Sequence, residues 1–241
     1  MRRRSQSEPP DAGGPVADIV TGRGFDRLVN FTDAVVAIAV TVLVLPLTAL
    51  TRVGDGQTVW DLIGDNSGPV TSFFFTFVVV AIMWGVHNRV VNGMRGYDGT
   101  IFWLNVGWIA AIAFLPWPAG LYGEEIGIGS TAVSEYSGGE GLGGVGLFYW
   151  CTLAAVSAFG SLMALHVRRH PELRLTSTVG MAAPDWRERW RGLVFAAFFV
   201  AVGLVSIVAP VVASWMPLVI IPMSVLLRSA PEVVGADASV E

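Results

Sequence analysis

The sequence predicts an all-α integral membrane protein, a bundle of six helices, and three observations predict it. Of 241 residues, 53% are hydrophobic and only 14% are charged, against roughly 25% charged in soluble domains. Long apolar runs recur, each near the roughly 20 residues that a membrane helix needs. The arginines fall between alternate runs, as they do in a chain that crosses a bilayer repeatedly.

The elements follow in order. Residues 1–22, opening MRRRSQSEPPDAGGPVAD, are polar and rich in Pro and Gly, and are expected to be a disordered cytoplasmic N-terminus. Arg2, Arg3 and Arg4 suggest an export signal. Such a signal needs an apolar segment of about 7 to 15 residues soon after the charges. The first apolar run starts near residue 34 and continues long enough to span, so it reads as a retained helix. A six-span domain is expected over 23–228, with spans near 28–50, 69–91, 101–121, 145–167, 191–208 and 211–228. The last two divide a charge-free stretch, Gly192 to Leu227, that is too long for one crossing and breaks near Pro210. Residues 229–241 form a short acidic tail, expected to be disordered.

Arg2, Arg3, Arg4, Arg23, Arg27, Arg89, Arg95, Arg168, Arg169, Arg174, Arg187, Arg189, Arg191 and Arg228 lie on one side of this arrangement. Arg52 lies on the other, with Asp55, Asp61, Asp65, Glu124, Glu125, Glu135 and Glu140. The positive-inside rule then places both termini of a multi-pass plasma-membrane protein in the cytoplasm. Trp60, Trp117, Tyr122, Trp186 and Trp190 fall where interfacial belt residues sit. Cys151 is the one cysteine, read as a small buried hydrophobe; it can make no internal disulfide. His166 and His170 are expected to be solvated at a span end.

The first run, RLVNFTDAVVAIAVTVLVLPL, holds Asp33 inside a membrane-quality stretch. Intramembrane carboxylates call for a partner. With Arg27 at zero and about 100° per residue, Phe31 lies at about 40°, Ile38 at about 20°, Thr41 at about 320° and Leu45 at about 0°. Asp33 falls at about 240°, off that stripe. His87, at the far end of FVVVAIMWGVHNRVVN, lies at a similar depth, with Trp84 one turn away and Asn105 on the third span. Asp33, His87 and Asn105 are therefore expected to meet in a polar knot, since buried polar groups persist only when bonded.

Arg27-x-x-x-Phe31-Thr32-Asp33 resembles the R-x-x-x-F-S-D signature of the transmembrane protein 175 family of potassium channels, with Thr32 in place of the usual serine. The ladder that follows, Trp84-x-x-His87, and the Asn105-to-Pro116 pattern are similar to the family as well. The resemblance is sharp over about residues 23–118. It implies a six-helix repeat, a homotetramer of single-repeat chains, and a first helix lining a central pore. No second F-[ST]-D occurs in the chain. Carried over residue by residue, Ile38 becomes the pore constriction, Leu45 a second apolar ring, and Thr41 the hydroxyl ring that favours potassium. Arg27, Phe31, Thr32, Asp33, Trp84, His87 and Asn105 become a structural polar network that braces the helix.

The implied function is a passive potassium channel, modestly selective over sodium. Its gate is a hydrophobic constriction that conducts when it dilates and wets. There is no T-V-G-Y-G carbonyl filter in the sequence. No cofactor or metal is expected beyond permeant potassium ions. The expected partners are further copies of the chain and membrane lipids, with no nucleic acid. A cation transporter, proton-coupled through Asp33 and His87, is the competing reading. Enzymatic motifs such as H-E-x-x-H and G-x-S-x-G are absent from the sequence.

Overall fold

A computed structural model describes residues 19–50, 53–126, 142–175 and 186–209. The described chain is helical apart from one small strand pair and short connections. Strand β1 (Val20–Thr21) leads through Gly22 into α1 (Arg23–Val42). Gly22 adopts φ 60°, a left-handed conformation that glycine takes without the Cβ penalty of other residues. A single turn, α2 (Leu45–Thr48), continues α1. The break falls just before Pro46, which has no N–H to give the preceding turn.

Helix α3 (Val59–Asp65) is closed by a capping box in which the Thr58 hydroxyl and the Asp61 carboxylate satisfy each other's main chain. Helix α4 (Ser67–Asn92) follows, then β2 (Gly96–Tyr97), which pairs antiparallel with β1. Asp98 caps α5 (Gly99–Phe114), its carboxylate accepting the Ile101 N–H at 2.8 Å. Helix α6 (Pro116–Glu125) prolongs α5 beyond a break at Leu115, again at a proline. Helices α7 (Leu142–Arg169) and α8 (Trp186–Val208) complete the described bundle.

Four stretches are long and apolar enough to cross a bilayer: Arg23–Thr48, Ser67–Asn92, Gly99–Glu124 and Gly144–Arg169, each 26 residues. At 1.5 Å per residue, 26 residues extend about 39 Å, more than the roughly 30 Å hydrocarbon core. Gly192–Val208 is a shorter apolar helix. The candidate span at 211–228, both tails and most of the acidic loop at 123–144 lie outside the described residues.

Among the described residues the core has two clusters: a larger one holding Val36, Ala39, Leu43, Trp108, Ile112, Leu115, Tyr149, Trp150, Leu153 and Phe199, and a smaller one holding Met94, Ile101, Met163, Val167 and Leu173. Helix α5 packs against α7 so closely that a Cβ on Gly107 would stand 2.6 Å from the Phe159 ring. Ser72 on α4 donates to the Ala119 carbonyl of α6 at 2.6 Å, and Thr76 shares a 2.8 Å bond with the Tyr149 hydroxyl. Such bonds tie helices together where no hydrophobic effect drives association.

Two expectations about single residues change. Tyr122 is buried and stacks on Tyr149, with ring centroids 4.6 Å apart, so it belongs to the core and not to an interfacial belt. Trp60 and Trp117 do face outward. Cys151 is exposed: α7 turns Tyr149, Trp150, Thr152 and Leu153 inward, and the cysteine falls on its outer face.

Candidate functional site on the first helix

Helix α1 has two faces of different character. Thr32, Val36 and Ala39, with Leu43 just beyond them, are buried against the bundle. The opposite face carries Phe31 and Ile38, with Leu45 following at the start of α2; the three are 57%, 63% and 58% exposed in the single chain. These three recur every seven residues, or about two turns, and so stack along one line. Thr41 lies on the same exposed face, its hydroxyl donating to the Ile38 carbonyl at 2.7 Å. A donating hydroxyl keeps its oxygen lone pairs. The stripe drawn from helical angles is thus the face that α1 leaves exposed among the described residues.

The polar residues behind the stripe form two sets. In the first, Trp84 Nε1–H donates to Asp33 Oδ1 at 2.8 Å, joining α4 to α1. In the second, His87 Nε2 bonds Asn105 Oδ1 at 2.8 Å, and Asn105 Nδ2 donates to Thr32 Oγ1 at 2.8 Å. Thr32 Oγ1 then donates back to the Leu28 carbonyl at 2.9 Å. An amide oxygen only accepts, so His87 carries its proton on Nε2 in this chain of bonds. The three side chains are 5%, 2% and 1% exposed, and the His87 ring stacks on Trp108 with centroids 4.1 Å apart.

The structure therefore partitions the residues that sequence reading grouped together. Asp33 does not meet Asn105; Thr32, one residue earlier, does. The 100° between neighbouring residues turns the hydroxyl toward α5 and the carboxylate toward α4. Arg27 and Phe31 lie on the exposed face rather than behind it. The small residue of the F-T-D triplet carries the buried link between helices.

Sequence reading also missed a second polar cluster at the arginine-bearing end. Asp98 Oδ2 lies 2.7 Å from His166 Nε2. His166 stacks on His170 at 4.2 Å between ring centroids, and His170 Nδ1 lies 2.8 Å from Glu172 Oε1. His166 is thus a paired side chain and not a solvated one. Burial alone would raise the Asp98 carboxyl, but the Ile101 N–H and the His166 bond outweigh it and hold it below the usual carboxylate range. The missed signal was the Asp at the N-cap of a span, 68 residues from its histidine. Among the described residues no group of His, Cys, Asp and Glu is arranged to hold a metal ion.

Buried polar links between long apolar helices, with a large unpartnered apolar stripe on the first, define an α-helical multi-pass membrane protein. Residues 27–116 are similar to the family described as "Endosomal/lysosomal potassium channel TMEM175".

A potassium channel from Streptomyces collinus is 30% identical over 98 residues, which are 41% of this chain and 47% of that protein. A potassium channel from a Chryseobacterium species is 28% identical over 90 residues, 37% of this chain and 44% of that protein. The human "Endosomal/lysosomal proton channel TMEM175" is 30% identical over 95 residues, 38% of this chain and 18% of that protein. The matches thus span under half of the bacterial relatives and less than a fifth of the human one.

The solved structure of a lysosomal potassium-selective channel TMEM175 homolog from Chamaesiphon minutus superposes with a TM-score of 0.63. The likeness is at 17% identity and covers 86% of this chain and all of that one. It is a likeness of fold.

Proposed function

We propose that this chain is one subunit of a passive potassium channel whose pore is lined by α1 from four identical copies. The observation that carries the reading is the exposed stripe of Phe31, Ile38 and Leu45 along the first span, where the family's match begins. One copy of the stripe encloses nothing, whereas copies arranged about an axis would stack it into apolar rings. Ile38 and Leu45 would be the rings that gate. A ring of this kind excludes water when narrow and conducts once dilated enough to wet. Thr41, between them, would offer hydroxyl oxygens to a partly dehydrated cation. The arrangement needs no cofactor.

The polar links behind the stripe support the same reading. They fix the azimuth of α1 by tying it to α4 through Asp33 and to α5 through Thr32. They also weigh against transport coupled through an Asp33–His87 pair, because each of those side chains bonds a different partner. The proposed membrane is the bacterial inner membrane, with both termini in the cytoplasm. Three of the arginine-bearing stretches meet in the fold: β1, just before Arg23, pairs with β2, just after Arg95, and the Arg95 N–H donates to the Leu173 carbonyl, next to Arg174, at 2.9 Å.

The animal relatives carry the name of proton channels, so proton conduction is the second reading. Liposome flux with separate potassium and proton reporters discriminates the two. Potassium flux that does not saturate supports the first reading; flux of protons alone supports the second. Thr41→Val should lower the potassium-over-sodium flux ratio, and an unchanged ratio would remove Thr41 from selectivity.

A further inference from the structure

The Asp98 cluster has no part in the proposed pore, yet it sits at the base of the helix that lines it. Asp98 Oδ1 caps α5 and Oδ2 holds His166, so one carboxylate joins two helices. These two side chains are 12% and 18% exposed, whereas His170 and Glu172 are 42% and 48% exposed. The row therefore runs from a shielded carboxylate to solvent through two stacked imidazoles. Immediately before Asp98, Gly96 and Tyr97 pair with Thr21 and Val20. Gly22 alone separates that strand from α1. The 170–175 segment closes the same corner, with Leu175 N–H donating to the Gly93 carbonyl at 3.1 Å.

We propose that Asp98, His166, His170 and Glu172 form a proton-sensitive latch, on the arginine-rich side of the membrane, that holds the base of α1. Histidine ordinarily changes charge between pH 5 and 8. A neutral His166 gives the Asp98 carboxylate one hydrogen bond, whereas a protonated one adds the attraction of opposite charges in a partly shielded site. Acid on this side therefore tightens the clamp on the loop that carries β2, and through β2 on β1 and α1.

The charged groups around the row leave it free to act. Arg95 donates to the Glu172 carbonyl, and Arg174 donates to the Val167 and Arg168 carbonyls. Arg168 and Arg169 belong to the same end of α7 as His166. The strands β1 and β2 contribute no acid or base apart from Tyr97. A tethered base restrains the movement by which α1 would widen its ring, so the latched state is the less conductive one. This last step rests on the channel reading; the latch itself does not.

The test uses the full chain in nanodiscs and liposomes. Amide exchange at residues 20–21 and 96–98, corrected for intrinsic rates, should be slower at pH 6.0 than at pH 7.5. Asp98→Asn, which keeps an oxygen for the helix cap, should lose that difference. His166→Gln, which can donate without titrating, should lose it too and covers failure of the first variant to fold. Potassium flux should fall several-fold on the same acidification in the wild type and stay level in both variants. Exchange that responds to pH equally in wild type and variants overturns the latch. Exchange that behaves as expected, with no ion flux at any pH, upholds the latch and removes the channel reading.

Discussion

Thr32→Val puts the buried link between α1 and α5 to a quantitative test. Thr32 Oγ1 accepts the Asn105 amide and donates to the Leu28 carbonyl, with Thr32 1% and Asn105 2% exposed. Valine keeps the shape and removes the oxygen, so little cavity forms. The Leu28 carbonyl stays in the ladder of α1, so the loss falls on one Asn105 N–H left without its acceptor. A buried orphan donor costs about 1–3 kcal/mol. Side-chain bonds between membrane helices average about 0.6 and reach about 1.7 kcal/mol. Thr32→Val should thus destabilise by about 1–2 kcal/mol, while Thr32→Ser, which keeps the oxygen, should cost well under that. Unfolding in mixed micelles by titration with a denaturing detergent measures both. Combining Thr32→Val with Asn105→Leu should be less damaging than the sum, by about 0.6–1.7 kcal/mol, because the second change has nothing left to break. Equal stability of the Val and Ser variants, or strict additivity in the cycle, would refute the link.

Gly107→Ala should destabilise by about 1–3 kcal/mol, a typical cost of overpacking, because its Cβ would meet the Phe159 ring at 2.6 Å; a thermal melt checks it. Asp98 should shape the acid limb of stability. Its folded carboxyl titrates below the ordinary value, so the stability it confers is present above the unfolded pKa of about 3.9 and is lost as pH falls through the lower folded value. A stability–pH profile should show that loss below about pH 4 in the wild type, and Asp98→Asn should be less stable at neutral pH and lack this component.

Much of the fold was legible because membrane helices announce themselves through length and apolarity. The helical angles also separated the stripe of Ile38, Thr41 and Leu45 from Asp33, and the structure places that stripe on the exposed face of α1. What stayed hidden was the choice between neighbours. The eye goes to the charge of Asp33, but Thr32 makes the bond to Asn105, since which residue faces α5 depends on the rotation of α1 within the bundle. Tyr122 and Cys151 were misplaced for a related reason. Composition says that a residue is near a span end or inside a span, and says nothing of the azimuth that buries one and exposes the other. The pairing of Asp98 with His166 spans 68 residues and depends on how α5 meets α7, which no local pattern encodes.

Potassium flux through Ile38→Asn beside the wild type, in liposomes at matched protein density, tests the central claim most directly. An amide in a ring of apolar side chains would hold water in the constriction and favour wetting. The account predicts basal potassium flux several-fold above wild type from a chain that is equally well folded. Flux identical to wild type from a folded Ile38→Asn protein would show that this residue does not line the ion path, and would contradict the assignment of α1 to the pore.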